Sequence, residues 1–155
     1  MNAANASTVN FKSDVIDRIF FVRYAQPPTK EAMKAVLERV AQAHSRLGSN
    51  QPLIYVGSID SKSKVPNAEE RNNLSELLTA LRQHCEVVHL IIEGSELQNS
   101  LQRVIISGML IVTRTYDNYL SVHKNVESAS SDLARRLSKD VTPLIRMARD
   151  RGLVL

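Results

Sequence analysis

Short apolar runs alternate with longer amphipathic stretches along this chain, and the alternation predicts strands and helices in turn. "VIDRIFFVRY", residues 15–24, is rich in β-branched and aromatic residues and reads as a strand, with room for a partner strand near Val9 to Lys12. Pro27 and Pro28 stop it. Thr29 is placed to cap a helix in which Met33, Val36, Leu37, Val40 and Leu47 recur at helical spacing, and Gly48 supplies the exit. "PLIYVGSI", residues 52–59, is a continuous apolar run bounded by turn residues, as expected of a strand buried on both faces. A polar loop follows, and then Asn67 and Glu70 stand at capping-box spacing before a stripe of Leu74, Leu77, Leu78 and Leu81.

The second half repeats the rhythm. "EVVHLIIEG", residues 86–94, predicts a third strand, and Ser95 with Gln98 forms a second capping box for a helix carrying Leu97, Leu101, Val104 and Ile105. "YLSVHK", residues 119–124, is a weaker strand. Val126, Ala129, Leu133 and Leu137 mark the next helix, and Thr142 with Pro143 opens a last one that Gly152 ends. Strands and helices in this order imply an α/β fold: a mixed, mainly parallel sheet of four to five strands with helices packed against it, plus an extra C-terminal helix. Residues 1–8 read as a flexible tail and 9–138 as the domain. Residues 139–155 form a helical extension that packs on the domain or on a partner. In such sheets sites are built where strands deliver their carboxyl ends, here at residues 25–28, 57–67 and 94–95.

At 155 residues, 43% of them hydrophobic, the chain suits one domain with an ordinary core. No window approaches the roughly 18 uninterrupted apolar residues of a membrane span, and Met1 to Thr8 is polar where a secretory signal needs an apolar stretch, so a cytoplasmic protein is expected. The single cysteine, Cys85, excludes an internal disulfide and reads as a packing residue. Twenty basic residues are offset by 16 acidic ones, a net charge of +4 with the signs interspersed. The densest basic cluster, Arg135, Arg136, Lys139, Arg146, Arg149 and Arg151, is interrupted by Asp132, Asp140 and Asp150 and reads as a solvated helix face. With three Phe, four Tyr and no Trp, an aromatic platform for single strands is missing, which argues against a nucleic-acid partner.

The chain resembles the STAS domains, the family of the bacterial anti-sigma factor antagonists and of a broader SpoIIAA-like, lipid-carrier-like group. "FFVRYAQPPTKEAMKAVLERV" is similar to that family's strand, turn and first helix, and "PLIYVGSID" to its central strand ending on an acidic residue, Asp60. "VVHLIIEGSELQNSLQRVIISGML" and "YLSVHKNVESASSDLARRL" are similar to the elements that follow. The resemblance implies a non-catalytic bacterial regulatory module, contacting an anti-sigma factor or another signalling protein through the 58–67 loop and adjacent helices. Members that act as phospho-switches carry Asp-Ser-Ser/Thr-Gly at the start of the helix after the central strand. Here that segment reads "IDSKSKVPNAEERNN", with Asp60, Ser61 and Ser63 but no glycine, and with Lys62, Lys64 and Pro66 before the helix. Glu69 and Glu70 in the first turn oppose a phosphate there.

The competing reading is a small-ligand or lipid carrier. Lys62 and Lys64 would meet an acidic group, Asn67 or free helix amides would donate, and Arg71 would reach back over the loop. The structural alternative has Arg71 fixing the helix start through a carboxylate. No cofactor is implied: a Walker-type glycine loop is absent, and Gly57 alone is a weak hint. Nor is an enzyme expected, since no nucleophile elbow occurs and adjacent His84 and Cys85 point apart. The one catalytic alternative rests on His89 or His123, which fall on strands that pair and share a face. Finally, Val104 to Val112 is apolar nearly all round, more than a sheet-packed helix needs. Val104, Ile106, Met109 and Leu110 are therefore expected to be covered by a second copy in a homodimer, by a partner or by the C-terminal segment, the alternative being that Met109, Leu110 and their neighbours form a hydrophobic ligand pocket.

Overall fold

A turn divides the first apolar stretch in two. In the computed structural model, which describes residues 10–48, 50–93 and 118–155, Phe11–Ile16 (β1) and Ile19–Tyr24 (β2) form an antiparallel hairpin with Ile16 opposite Ile19. Residues 15–24 are thus not one strand. Asp17 and Arg18 make the two-residue connection, Asp17 adopting a left-handed φ of 57° and accepting the Arg18 amide on its own carboxylate. Aspartate tolerates that backbone because its short polar side chain bonds locally.

The remaining elements follow the apolar pattern closely. Helix α1 spans Lys30–Leu47, capped by Thr29, whose hydroxyl accepts from the Ala32 amide, and closed at Gly48 with φ 95°. Strand β3 is Leu53–Ile59, helix α2 Ala68–Leu81 and strand β4 Cys85–Ile92. Strand β5 is Leu120–His123, helix α3 Glu127–Leu137 and helix α4 Thr142–Asp150. Both halves of the Asn67–Glu70 capping box are made.

The fold is α/β, with a five-stranded mixed sheet in the order β1-β2-β3-β4-β5 among the described residues. Every pair after the first hairpin is parallel. Each residue of β3 is buried, so both of its faces need cover. On one face α1 and α2 lay Val36, Val40, Leu74, Leu77 and Leu78 over Phe20, Tyr55, Val88 and Leu90. On the other, α3, α4 and the segment after them lay Ala129, Leu133, Ile145, Leu153 and Val154 over Phe21, Ile54, Val56 and Ile91. Full burial of such side chains is worth roughly 1.5–3 kcal/mol each. The C-terminal segment is therefore an integral layer of this core. The tail at 1–8, Ser95 with Gln98, and Val104, Ile106, Met109 and Leu110 lie outside the described residues.

Gly57 lies inside β3, and its lack of a side chain is a packing matter. A Cβ there would come within 2.8 Å of the Tyr55 ring and 3.3 Å of Leu90. The Tyr55 ring cannot yield cheaply: it stacks on Phe20 at 5.9 Å and its hydroxyl shares a 2.8 Å hydrogen bond with that of Tyr24, in full burial.

Candidate functional site

Parallel pairing carries the ends of β2, β3 and β4 to a common rim. Tyr24 lies opposite Ile59 and Ile59 opposite Ile92, so Asp60 and Glu93 leave the sheet side by side. The ladder runs one step further, with the Asp60 amide donating to Tyr24 and the Glu93 amide to Ile59. Arg23 reaches across this rim. Its Nη2 stands 2.6 Å from the Glu93 carboxylate and 3.2 Å from that of Asp60, and its Nε donates to Glu93 at 3.2 Å. The Glu93 hydrogen bond holds the Arg23 guanidinium charged, raising it above its ordinary value. Glu93 is only 2% exposed, and its second oxygen accepts the Leu155 amide at 3.0 Å. The inner rim is thus covered by the end of the C-terminal layer, while Asp60 keeps about a quarter of its side chain in solvent. Beside it, a cavity of about 310 Å³ is lined by Asn10, Phe11, Lys12, Arg23, Ala25, Asp60 and Gly152.

The loop from Asp60 to Asn67 is held by its own bonds. Asp60 accepts the Lys62 amide at 2.8 Å on its side chain and the Ser63 amide at 3.0 Å on its carbonyl. The Lys64 amide donates to Gln26 of the β2–α1 loop, and the Lys64 ammonium pairs with Glu70 at 3.1 Å. Arg71 donates to the Pro66 carbonyl rather than to a carboxylate, yet it fixes the helix start all the same. Nearby, buried Asn73 donates to Pro28, tying α2 to the turn before α1. The two serines differ. Ser63 is fully buried with its hydroxyl donating to the Lys64 carbonyl, whereas Ser61 is partly exposed, and Lys62, Lys64 and Asn67 are exposed. The structure thus gathers Asp60, Ser61, Lys62, Lys64 and Asn67 on one ordered rim. Asn67 and Glu70 spend their side chains on each other's amides, which consumes donors that a ligand at this helix start would need.

A second cluster forms on the far side of the sheet. His89 on β4 and His123 on β5 do share a face: His89 Nδ1 and His123 Nε2 lie 2.9 Å apart, and His89 Nε2 lies 2.8 Å from Asp132 of α3. Arg136 donates to Asp132 at 2.8 Å and to Glu86 at 3.2 Å, Arg135 pairs with Asp132, and Arg18 pairs with Glu86. Burial alone would raise the Asp132 carboxyl, but the bonds from Arg136 and His89 outweigh it and hold it at about 2. Burial lowers both histidines, His89 in spite of Asp132 and His123 to about 4, the charge of His89 adding to the latter. These residues border a cavity of about 590 Å³.

This network makes stability sensitive to acid. An unfolded chain protonates His123 near the ordinary 6.5, whereas the folded chain waits until about 4. Between those values the unfolded state binds more protons, so stability falls as pH drops from 6.5 to 4. Asp132 extends the loss from 3.8 down to about 2, because its folded carboxyl is held low. Thermal melts should show a lower Tm at pH 4.5 than at pH 7, and His123→Phe should flatten the difference. Equal melting at both pH values would show that the pair is not kept neutral by the fold.

Other chemistry-bearing residues are quiet. The buried Cys85 thiol is pushed up to about 12, which makes it unreactive. His84 faces His44 at 2.9 Å between their Nδ1 atoms and forms no dyad with Cys85. In the basic cluster Lys139 pairs with Asp17, Arg149 with Glu127 and Arg151 with Asp14. Among the described residues no group of three or more His, Cys, Asp or Glu is placed to hold a metal ion. None of the described helices is long and apolar enough to cross a membrane.

The sequence reading missed Arg23, Glu93 and Asp132. A signal existed for the first two, as lone charges in otherwise apolar strand segments, "FFVRY" and "HLIIEG". Asp132 had none, because only folding brings α3 onto β4. No family model matches the chain, and no curated protein or solved structure is significantly similar to it.

Proposed function

We infer that this chain is a non-catalytic interaction module, a bacterial, cytoplasmic regulatory domain of the kind that its resemblance to STAS domains implies. It binds a signalling protein, of the anti-sigma factor type or another, through the Asp60–Asn67 loop and the start of α2. The observation that carries this reading is the state of the loop. Its shape is fixed by bonds within the loop and to Gln26, while Lys62, Lys64 and Asn67 are exposed and Ser61 partly so, so docking costs little ordering entropy. If a phosphate regulates the contact, Ser61 is its site, since Ser63 must first leave the core. The smaller reading, a carrier of a small polar ligand, has the 310 Å³ rim cavity in its favour, whose charged lining of Lys12, Arg23 and Asp60 does not suit a lipid tail.

The test is a quantitative pull-down from the native cell. Lys62→Glu with Lys64→Glu should lower recovery of the specific partner by roughly tenfold, the cost of opposing charges across a docked surface. Recovery of every bound protein at wild-type level would sink the proposal. Ser61→Asp separately tests the switch, and native mass spectrometry of the purified chain tests for a retained small molecule.

A further inference from the structure

The second cluster holds a chain of hydrogen bonds whose direction is fixed. Ionised Asp132 can only accept, so His89 must carry its proton on Nε2 and donate it. The other nitrogen of neutral His89, Nδ1, is then bare and must accept, which places the proton of the adjoining ring on His123 Nε2. The remaining nitrogen of His123, Nδ1, is left as an acceptor. Asp132 orients the whole series from α3, much as a carboxylate fixes the tautomer of an imidazole in other proton-handling sites.

The surroundings add charge to this acceptor. Arg135, Arg136 and Asp132 line the cavity, two cations against one anion, with Ser121, Ser128 and His123. The Arg135 side chain is 70% exposed and spends one of its bonds on Asp132, so guanidinium donors are left for another group. At about 590 Å³ the cavity falls within the size range of small-molecule sites. A fitting ligand must satisfy two demands at once. It must bring negative oxygens to the guanidinium donors and a hydroxyl to the bare imidazole nitrogen.

We propose that this cavity binds a protonated oxyanion of the hydrogen phosphate class, its P–OH donating to His123 Nδ1 and its charged oxygens accepting from Arg135. The site is separate from the Asp60 rim and its existence does not depend on the partner-binding reading. Selectivity follows from the direction of the bonds. Sulfate, with acceptors alone at neutral pH, meets the His123 lone pair with a lone pair of its own. It binds more strongly once His123 is protonated, and protonation is opposed by burial and by His89 and favoured by Asp132. Of the other charged groups in the cluster, Arg136 opposes it as well at His89, while Arg135 stands against Asp132 and Glu86 against Arg136.

The experiment is an NMR titration of the histidine ring resonances with inorganic phosphate and, separately, sulfate, against sodium chloride at equal ionic strength. At pH 7.5 phosphate should shift the His123 and His89 signals and bind roughly tenfold tighter than sulfate, the discrimination expected of a site with an unpaired polar group. Lowering the pH to 5 should narrow that ratio by strengthening sulfate. His123→Ala should abolish the preference and leave both anions equally weak, while Arg135→Ala, at an exposed position, should weaken both in wild-type proportion. Equal affinity for the two anions in the wild type overturns the proposal. So does the absence of any shift up to about 20 mM phosphate, where even a millimolar site would be filled.

Discussion

Gly57→Val is expected to destabilise the fold by about 2–4 kcal/mol, from overpacking together with the loss of a buried hydrogen bond. Strand propensity taken alone predicts the reverse, because glycine weakens a strand interior and valine suits one. The packing decides the sign. The new side chain would enter space held by the Tyr55 ring, and displacing that ring breaks its bond to Tyr24 and its stacking on Phe20. Urea denaturation of the variant checks this: a midpoint equal to or above the wild-type value would show that Tyr55 yields without cost.

Glu93→Ala should cost about 2 kcal/mol, and Glu93→Gln roughly half as much. Removing one partner of a buried pair is usually more damaging, but here Arg23 keeps Asp60 at 3.2 Å and has about a quarter of its side chain in water, which softens the loss. The Leu155 amide loses its acceptor entirely in the alanine variant. Its hydrogen exchange should therefore quicken more than that of amides in β3. Glutamine restores a neutral acceptor without the charge, so its intermediate behaviour separates hydrogen bonding from charge. A Glu93→Ala chain that melts like the wild type would remove Glu93 from the account of how the rim is held.

The contrast between these two residues shows what could be read from the chain. The 52–59 run announced a doubly buried strand because it is apolar nearly throughout and turn residues bound it, and β3 is that strand. The Asn67–Glu70 spacing announced a helix start because the capping box is local chemistry, complete within four residues. The first hairpin was harder. A turn of Asp17 and Arg18 lacks the Asn-Gly or Asp-Gly signature, so residues 15–24 looked continuous. The role of Gly57 inside that strand was not legible: nothing adjacent in sequence reveals that the Tyr55 ring occupies the space its side chain would need.

The order of elements, the buried status of β3 and the polar loop that begins at Asp60 were set by periodicity and capping, which act over a few residues and leave their mark in the sequence. The joining of Arg23, Asp60, Glu93 and Leu155 at one rim, and of His89, His123 and Asp132 at one cavity, was decided by strand register and by α3 and α4 settling on the second face. Those contacts span 34 to 70 residues of chain. Such distances leave no local pattern, because what selects the partners is the shape of the closed core and the cost of leaving a buried charge alone.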